Sequence, residues 1–227
     1  MTTTQNILQF LAELSENNNR EWFNDNKARY NSVRTEFESM VARLIEGISE
    51  FDEDLKFTSV KECVFRIYRD TRFAHDKTPY KTHFGAYMAS NGGRKSPRGG
   101  YYLHLNPDES FASTGVWCPE PNVLKALRQS VYDNIDELNE IRSSAEFSRY
   151  YKNFYDEDAL KKTPAGFPKD FPDADLLKLK HYLVDFKLDK NFLSAPDFES
   201  KLLEVFKAGY PFNRFFNYTV DEVINQR

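Results

Sequence analysis

The sequence predicts an α+β fold, an antiparallel β-meander packed against N-terminal and C-terminal helices, as a single domain over residues 1–227. Three observations carry that expectation. Apolar residues recur at helical spacing before Lys56 and again after Trp117. Between those points the period drops to two, and aromatic and β-branched residues alternate between Gly, Pro and Asn punctuation. Finally, 227 residues of which 40% are apolar and 15% aromatic suffice for one sizeable core.

Ile7, Leu8, Leu11 and Leu14 predict a short amphipathic helix over Thr4–Ser15. A second apolar stripe from Trp22 through Phe37 to Ile48 predicts one helix of about eight turns, with Asn18 as N-cap and Glu21 completing a capping box. Gly47 and the acidic residues Glu50–Asp54 end it. Period-two alternation then predicts strands at Ser59–Tyr68, Thr82–Ala89, Gly100–Asn106 and Ser110–Trp117. Their connections are RDTRFAHDKTPYK, the Gly-rich SNGGRKSPRGG and a tight turn at Pro107-Asp108.

Strand parity sorts the side chains. Cys63, Phe65, Ile67, Phe84, Ala86, Met88, Tyr101, Leu103 and Leu105 are expected to face the helices, and Arg66, Tyr68, His83, Tyr87, Tyr102 and His104 the opposite side. After Trp117, Pro119 and Pro121 precede a helical pattern at Val123, Leu124, Leu127 and Val131, which resumes around Ile135, Leu138 and Ile141. Three prolines in Thr163–Pro172 predict an extended connection. Leu176–Lys180 reads as helical, HYLVDFKL as a short strand, Asp197–Ala208 as a helix, and the chain end as further aromatic packing.

The 31 basic and 35 acidic residues give a net charge of −4, which argues against a protein that coats nucleic acid or anionic membrane with its whole surface. No apolar run approaches the ~18 residues needed to span a bilayer, and MTTTQNILQF lacks a basic flank and cleavage signature, so a cytoplasmic protein without membrane contact is expected. Cys63 and Cys118 lie far apart outside any C-x-x-C, so no disulfide framework or cysteine zinc site is encoded. The charge is uneven. Residues 56–104 hold ten Lys and Arg against three acids, +7, leaving −11 for the rest, and three of the four histidines fall in the same window.

Such an island either meets an anion or pairs internally. Arg66, Arg69 and Arg72 recur at intervals of three with Asp70 among them, and HDKTPYKTH adds Lys77, Tyr80, Lys81 and His83 around Pro79. Guanidinium forks match phosphate and carboxylate oxygens. The loop NGGRKSPRGG sits between strands and lacks the G-x-x-x-x-G-K-[ST] order, so it is no P-loop; it reads as a mobile basic flap or as a flexible hairpin tip. His75, His83 and His104 show no metal-ligand spacing, and no metal or cofactor is expected. No nucleophile motif stands out, which leaves His83 and His104 as the candidate general acid or base.

Four runs, NNNREWFNDNKARY, VFRIYRDTRFAHDKTPYKTHFGAYM, GGYYLHLNPDESFASTGVW and TPAGFPKDFPDADLLKLKHYLV, together resemble the domain-of-unknown-function family numbered 2461, of bacteria and fungi, over nearly the whole chain. Arg66, Asp70, Arg72, Asp76, Lys77, Pro79, Tyr80, Lys81 and His83 stand as in the family pattern, whereas AGYPFNRFF matches less clearly. The resemblance implies a single cytosolic α+β domain and brings no catalytic assignment.

Three functions fit these residues. The first is a site for a small phosphate- or carboxylate-bearing ligand, floored by Arg66, Tyr68, His83, Tyr102 and His104, with Arg69, Asp70, Arg72, Lys77, Tyr80 and Lys81 around it; arginines would stabilise negative charge and a histidine move a proton if it is an enzyme. The second, less favoured because the rest of the chain is acidic, is single-stranded nucleic acid stacked on tyrosines and Trp117. In the third, a structural or protein-interaction module, the island only holds helices to the sheet.

Overall fold

The computed structural model describes residues 2–225. The chain opens with helix α1 (Thr3–Glu16), in which Thr2 and Gln5 form a reciprocal capping box and Ile7, Phe10, Leu11 and Leu14 face inward. The single long helix expected next is two. Helix α2 (Arg20–Asp25) ends at Asn26, whose side chain turns back onto the Trp22 carbonyl at 2.9 Å, and α3 (Lys27–Ser49) starts afresh. The N-cap of α2 is Asn19, which accepts from Trp22 N–H at 3.0 Å, in place of the expected Asn18. Asn18 is occupied elsewhere: its amide accepts from Tyr80 N–H (3.1 Å) and donates to Tyr80 O (2.9 Å), clamping the chain just before the sheet.

The stretch expected as the first strand, Ser59–Tyr68, instead forms a short helix, α4 (Val60–Cys63), followed by extended chain that bridges the sheet at Val64 to Ala86 and, outside it, pairs Tyr68 with Tyr80. Arginines take the carbonyls that would otherwise extend a ladder: Arg34 donates to Phe65 O at 2.7 Å and Arg94 to Val64 O at 3.3 Å. The strands that do form are β1 (Phe84–Met88), β2 (Gly100–Leu105) and β3 (Phe111–Val116). Three helices follow, α5 (Pro121–Asp133), α6 (Ile135–Ser143) and α7 (Ala145–Tyr150), and then α8 (Ala174–Lys178). Strand β4 (Tyr182–Lys187) joins β3 to complete an all-antiparallel sheet of order β1-β2-β3-β4.

After α9 (Lys190–Ser194) comes α10 (Phe198–Asn225), which continues far beyond the expected Ala208 and through Pro211. Proline forfeits one helical hydrogen bond, but the turns beyond it bury Phe212, Phe215, Phe216 and Val220, at ~1.5–3 kcal/mol for each large apolar side chain. Burial outweighs the break. All the helices that matter to the core lie against one face of the sheet. Phe84, Ala86, Met88, Tyr101, Leu103 and Leu105 pack there against α1, α3 and the first half of α10, and Val116, Tyr182 and Val184 against α5, α7 and its second half. Phe65 departs from its expected side, because the chain before β1 is not a regular strand; Cys63 and Ile67 are buried as expected. Among the described residues no helix is long and apolar enough to cross a membrane.

Candidate functional site

The helix-free face of the sheet is hollow. Cross-strand register lays out its floor in rows: Tyr87, Tyr102, Ser113 and Asp185 stand side by side across all four strands, and His104 pairs with Phe111 in the next row. Phe65 and His83 wall the β1 side, and Trp117 and Tyr155 the opposite end, around a cavity of about 450 Å³. Two glycines permit this shape. A Cβ on Gly85 would lie 2.8 Å from the Tyr102 hydroxyl. Gly115 has φ +133°, a conformation open essentially only to glycine, and its Cβ would come within 2.6 Å of Leu183 Cα.

His83 and His104 come together, with ring centroids 4.3 Å apart. His104 stacks on Phe111 at 4.7 Å and shares a 2.9 Å hydrogen bond between its Nδ1 and the Tyr102 hydroxyl. Burial pushes His83 down to about 4, with Lys81 adding to it, and His104 down to about 3, with His83 and Lys81 adding to it. Both imidazoles are therefore neutral at pH 7 and resist protonation unless a negative charge beside them favours the protonated form. Tyr102 is pushed up to about 12 by burial and stays a phenol. Asp185, reached from the cavity, accepts from the Ser113 hydroxyl; the surrounding walls raise its carboxyl above the usual range, partly offset by that bond.

Beyond Phe65 the cavity continues into a cleft of about 590 Å³ lined by Arg34, Lys61, Arg66, Lys81, Arg94 and Lys95 and by no acid; Phe65 and Arg94 border both hollows. Arg34 pairs with Glu38, and Arg94 donates to the carbonyls of Lys61 (2.7 Å) and Glu62 (2.9 Å). That last contact docks the Gly-rich loop onto the end of α4, where sequence suggested a free flap or tip. Lys61, Arg66, Lys81 and Lys95 form no ion pair among the described residues, although Arg66 is near enough to Asp70 to help lower its carboxyl. Lys81 sits over the Phe65 ring, 5.3 Å from its centroid, and burial, reinforced by Arg66, lowers its ammonium below the usual lysine range.

The other residues singled out from sequence go elsewhere. Arg69 pairs with Asp76 at 2.5 Å and with Thr78, Arg72 with Asp70 at 2.7 Å, and Lys77 donates to Thr71 O at 2.9 Å, so the 69–78 loop satisfies most of its own charge. Arg66 is thereby separated from Arg69 and Arg72. Tyr68 and Tyr80 lie outside the cavity. Tyr68, Phe23 and Tyr30 surround the protein's own Lys27, which donates to the Tyr68 hydroxyl at 2.9 Å and lies 4.9 Å from the Phe23 and Tyr30 rings, and Tyr80 stacks on Phe23. His75 is exposed on the same loop.

The family described as Conserved hypothetical protein (DUF2461) matches residues 6–215. The chain belongs to the DUF2461 family. No curated protein and no solved structure matches it. The match takes in every wall of the cavity and of the basic cleft, so both are features of the DUF2461 part of the chain.

Several lining groups escaped sequence reasoning. Arg34 lies on α3, outside the basic window, and only folding brings it to Lys81. Asp185 carried a signal, a lone acid inside the apolar strand HYLVDFKL. The fourth histidine, His181, carried none: it is buried, stacks on Trp117 at 4.0 Å, accepts from Cys118 N–H at 2.9 Å and lies 3.1 Å from Asp158. It fixes the tryptophan at the cavity's end. A larger hollow of about 960 Å³ lies between Asp52–Asp54 and α10, but it gathers six acids against Arg98 and Arg214, and Arg98 is held between Asp54 and Asp221. An anion is repelled there.

Proposed function

We propose that this protein binds a small ligand in which a phosphate or carboxylate group is joined to a flat, unsaturated body. The observation that carries the reading is the pairing of two adjoining hollows, a basic cleft lined by no acid, four of whose cations form no ion pair among the described residues, and an aromatic floor that shares Phe65 and Arg94 with it. Cations without internal partners are stabilised by an incoming anion. An aromatic, mostly apolar cavity of this volume suits a small molecule. The residues that take part are Arg66, Lys81, His83, Tyr102 and His104 from the sequence reading, with Arg34, Lys61, Phe65, Arg94 and Phe111 added. If a reaction takes place, neutral His83 and His104 are the groups placed to accept a proton beside the anion, and the lysine and arginines stabilise charge that develops there. A nucleic-acid backbone is less well served, because the exposed 69–78 loop spends Arg69 and Arg72 on its own aspartates.

Isothermal titration with phenyl phosphate, inorganic phosphate and benzyl alcohol tests the reading. Phenyl phosphate should bind at least tenfold more tightly than either other probe, weaken as salt rises, and lose that advantage in a folded Arg66→Gln/Lys81→Met variant. Equal binding of benzyl alcohol, or a variant that binds like wild type, overturns it.

A further inference from the structure

Lys81 stands apart from the other amines of the basic cleft. It is half-buried, with Nζ 5.3 Å from the centroid of the ring of Phe65, the residue that borders both the cleft and the aromatic cavity. Lys61 and Lys95 line the same cleft and are exposed. Among the described residues Lys81 Nζ forms no ion pair and donates no hydrogen bond. The side chains that line the cleft with it bring further cations from three separate places: Arg34 from α3, Arg66 from the segment before β1, and Arg94 from the Gly-rich loop. An ammonium with no acceptor, partly out of water and among fixed cations, has little to hold its proton. The lowered proton affinity of Lys81, from burial and then from Arg66, agrees.

We infer that Lys81 is a nucleophilic amine that forms a Schiff base with small aldehydes or ketones carrying a phosphate or carboxylate. The inference rests on the proposed anion site and adds to it the bond that the ligand makes. A lysine that shares a desolvated place with other cations reacts in this way because the uncharged amine, and not the ammonium, has the lone pair that attacks. Guanidinium groups stay charged, so the cleft divides the work: its arginines hold the anion while Lys81 meets the carbonyl carbon. The Nζ lone pair forms the C–N bond as the π pair of the carbonyl moves onto oxygen. Both amine protons pass to that oxygen, it leaves as water, and a C=N bond remains; the step needs no oxidant or reductant. Once protonated, the imine restores a positive charge beside the bound anion, which favours the product.

The test incubates wild type with 4-formylphenyl phosphate and, separately, with benzaldehyde, traps any imine with sodium cyanoborohydride and reads the modified lysines by peptide mass spectrometry, alongside the phenyl phosphate titration of the anion site. Lys81 should be labelled by 4-formylphenyl phosphate at least tenfold faster than Lys61 or Lys95 in the same sample. Excess phenyl phosphate should remove that advantage, and with benzaldehyde it should be less than threefold. If phenyl phosphate binds and Lys81 is labelled no faster than Lys61 and Lys95, the reactive amine is refuted and the anion site stands. If benzaldehyde labels Lys81 with the same advantage, or if the advantage survives excess phenyl phosphate, the anion does not direct the reaction and the inference falls. If phenyl phosphate does not bind and Lys81 has no advantage, both readings fall. Every comparison is made within the wild-type protein, so no variant has to fold.

Discussion

Acid should destabilise this protein through His83 and His104 before its carboxylates respond. In the unfolded chain both imidazoles titrate near 6.5, and in the folded protein burial holds them at about 4 and about 3. Between those values the unfolded state binds protons that the folded state refuses, so stability is present above about 6.5 and is lost as pH falls toward 4. For one histidine kept neutral on folding, lowering the pH from 7 to 5 costs about 1.9 kcal/mol. The cavity lets solvent reach both rings, so about 2 kcal/mol for the pair together is the realistic figure. Urea unfolding at pH 7, 6 and 5 of wild type and of His83→Gln/His104→Gln measures it. Because the variant retains His75 and His181, the difference in pH slope isolates the pair, and wild type should lose about 2 kcal/mol more than the variant across the interval. Parallel slopes would refute the argument that these imidazoles are neutral by burial.

Three further outcomes follow from the same structure. Gly115→Ala should cost at least 3 kcal/mol in urea unfolding, since strain at φ +133° is of order 1–3 kcal/mol and the added Cβ also meets the backbone of β4 at Tyr182 and Leu183; a loss under 1 kcal/mol contradicts it. Asn18→Ala removes both hydrogen bonds that clamp Tyr80 and should cost about 1–3 kcal/mol, with faster amide exchange at Tyr80 than at Leu103 in the core. Arg94→Ala frees the carbonyls of Lys61 and Glu62 from the Gly-rich loop. Limited proteolysis should then cut first between Asn91 and Gly99, whereas wild type resists there.

What could be read in advance follows from how local each determinant is. Strands β1, β2 and β3 were legible because their alternation is strict, and the parity that placed Tyr102 and His104 together is a property of the backbone alone. The segment 59–68 alternates too, yet Arg34 and Arg94, thirty residues away on either side, claim its carbonyls, and no local pattern reports that. Asn18 and Asn19 are equal candidates for a cap until Tyr80 takes one of them. Pro211 reads as a stop until the phenylalanines beyond it find a core. For charge the limit is sharper. The +7 window was countable, but which cations were already satisfied depended on loop geometry: Arg69 and Arg72 found aspartates within seven residues, while Arg66 and Lys81 gathered with Arg34 from another element.

The two faces of the sheet make the case for a ligand in energetic terms. An antiparallel sheet covered on one side ordinarily turns polar, solvated side chains to the other. Here the uncovered face is floored by Tyr102, His104 and Phe111, and it forces two imidazoles to stay neutral. Neither feature helps the fold. The apolar floor is left partly open to water, and the depressed imidazoles cost stability below pH 6.5, in the direction worked out above. The adjoining cleft adds the mutual repulsion of Lys61, Arg66, Lys81 and Lys95, none of which forms an ion pair among the described residues. Each cost disappears when a flat anion occupies the two hollows: the rings lose their contact with water and the cations gain a partner. If the proposed ligand binds there, it returns stability that folding alone forgoes, and a ligand of that class should raise the melting temperature more at low salt than at high, since the cleft repulsion it relieves is itself screened by salt.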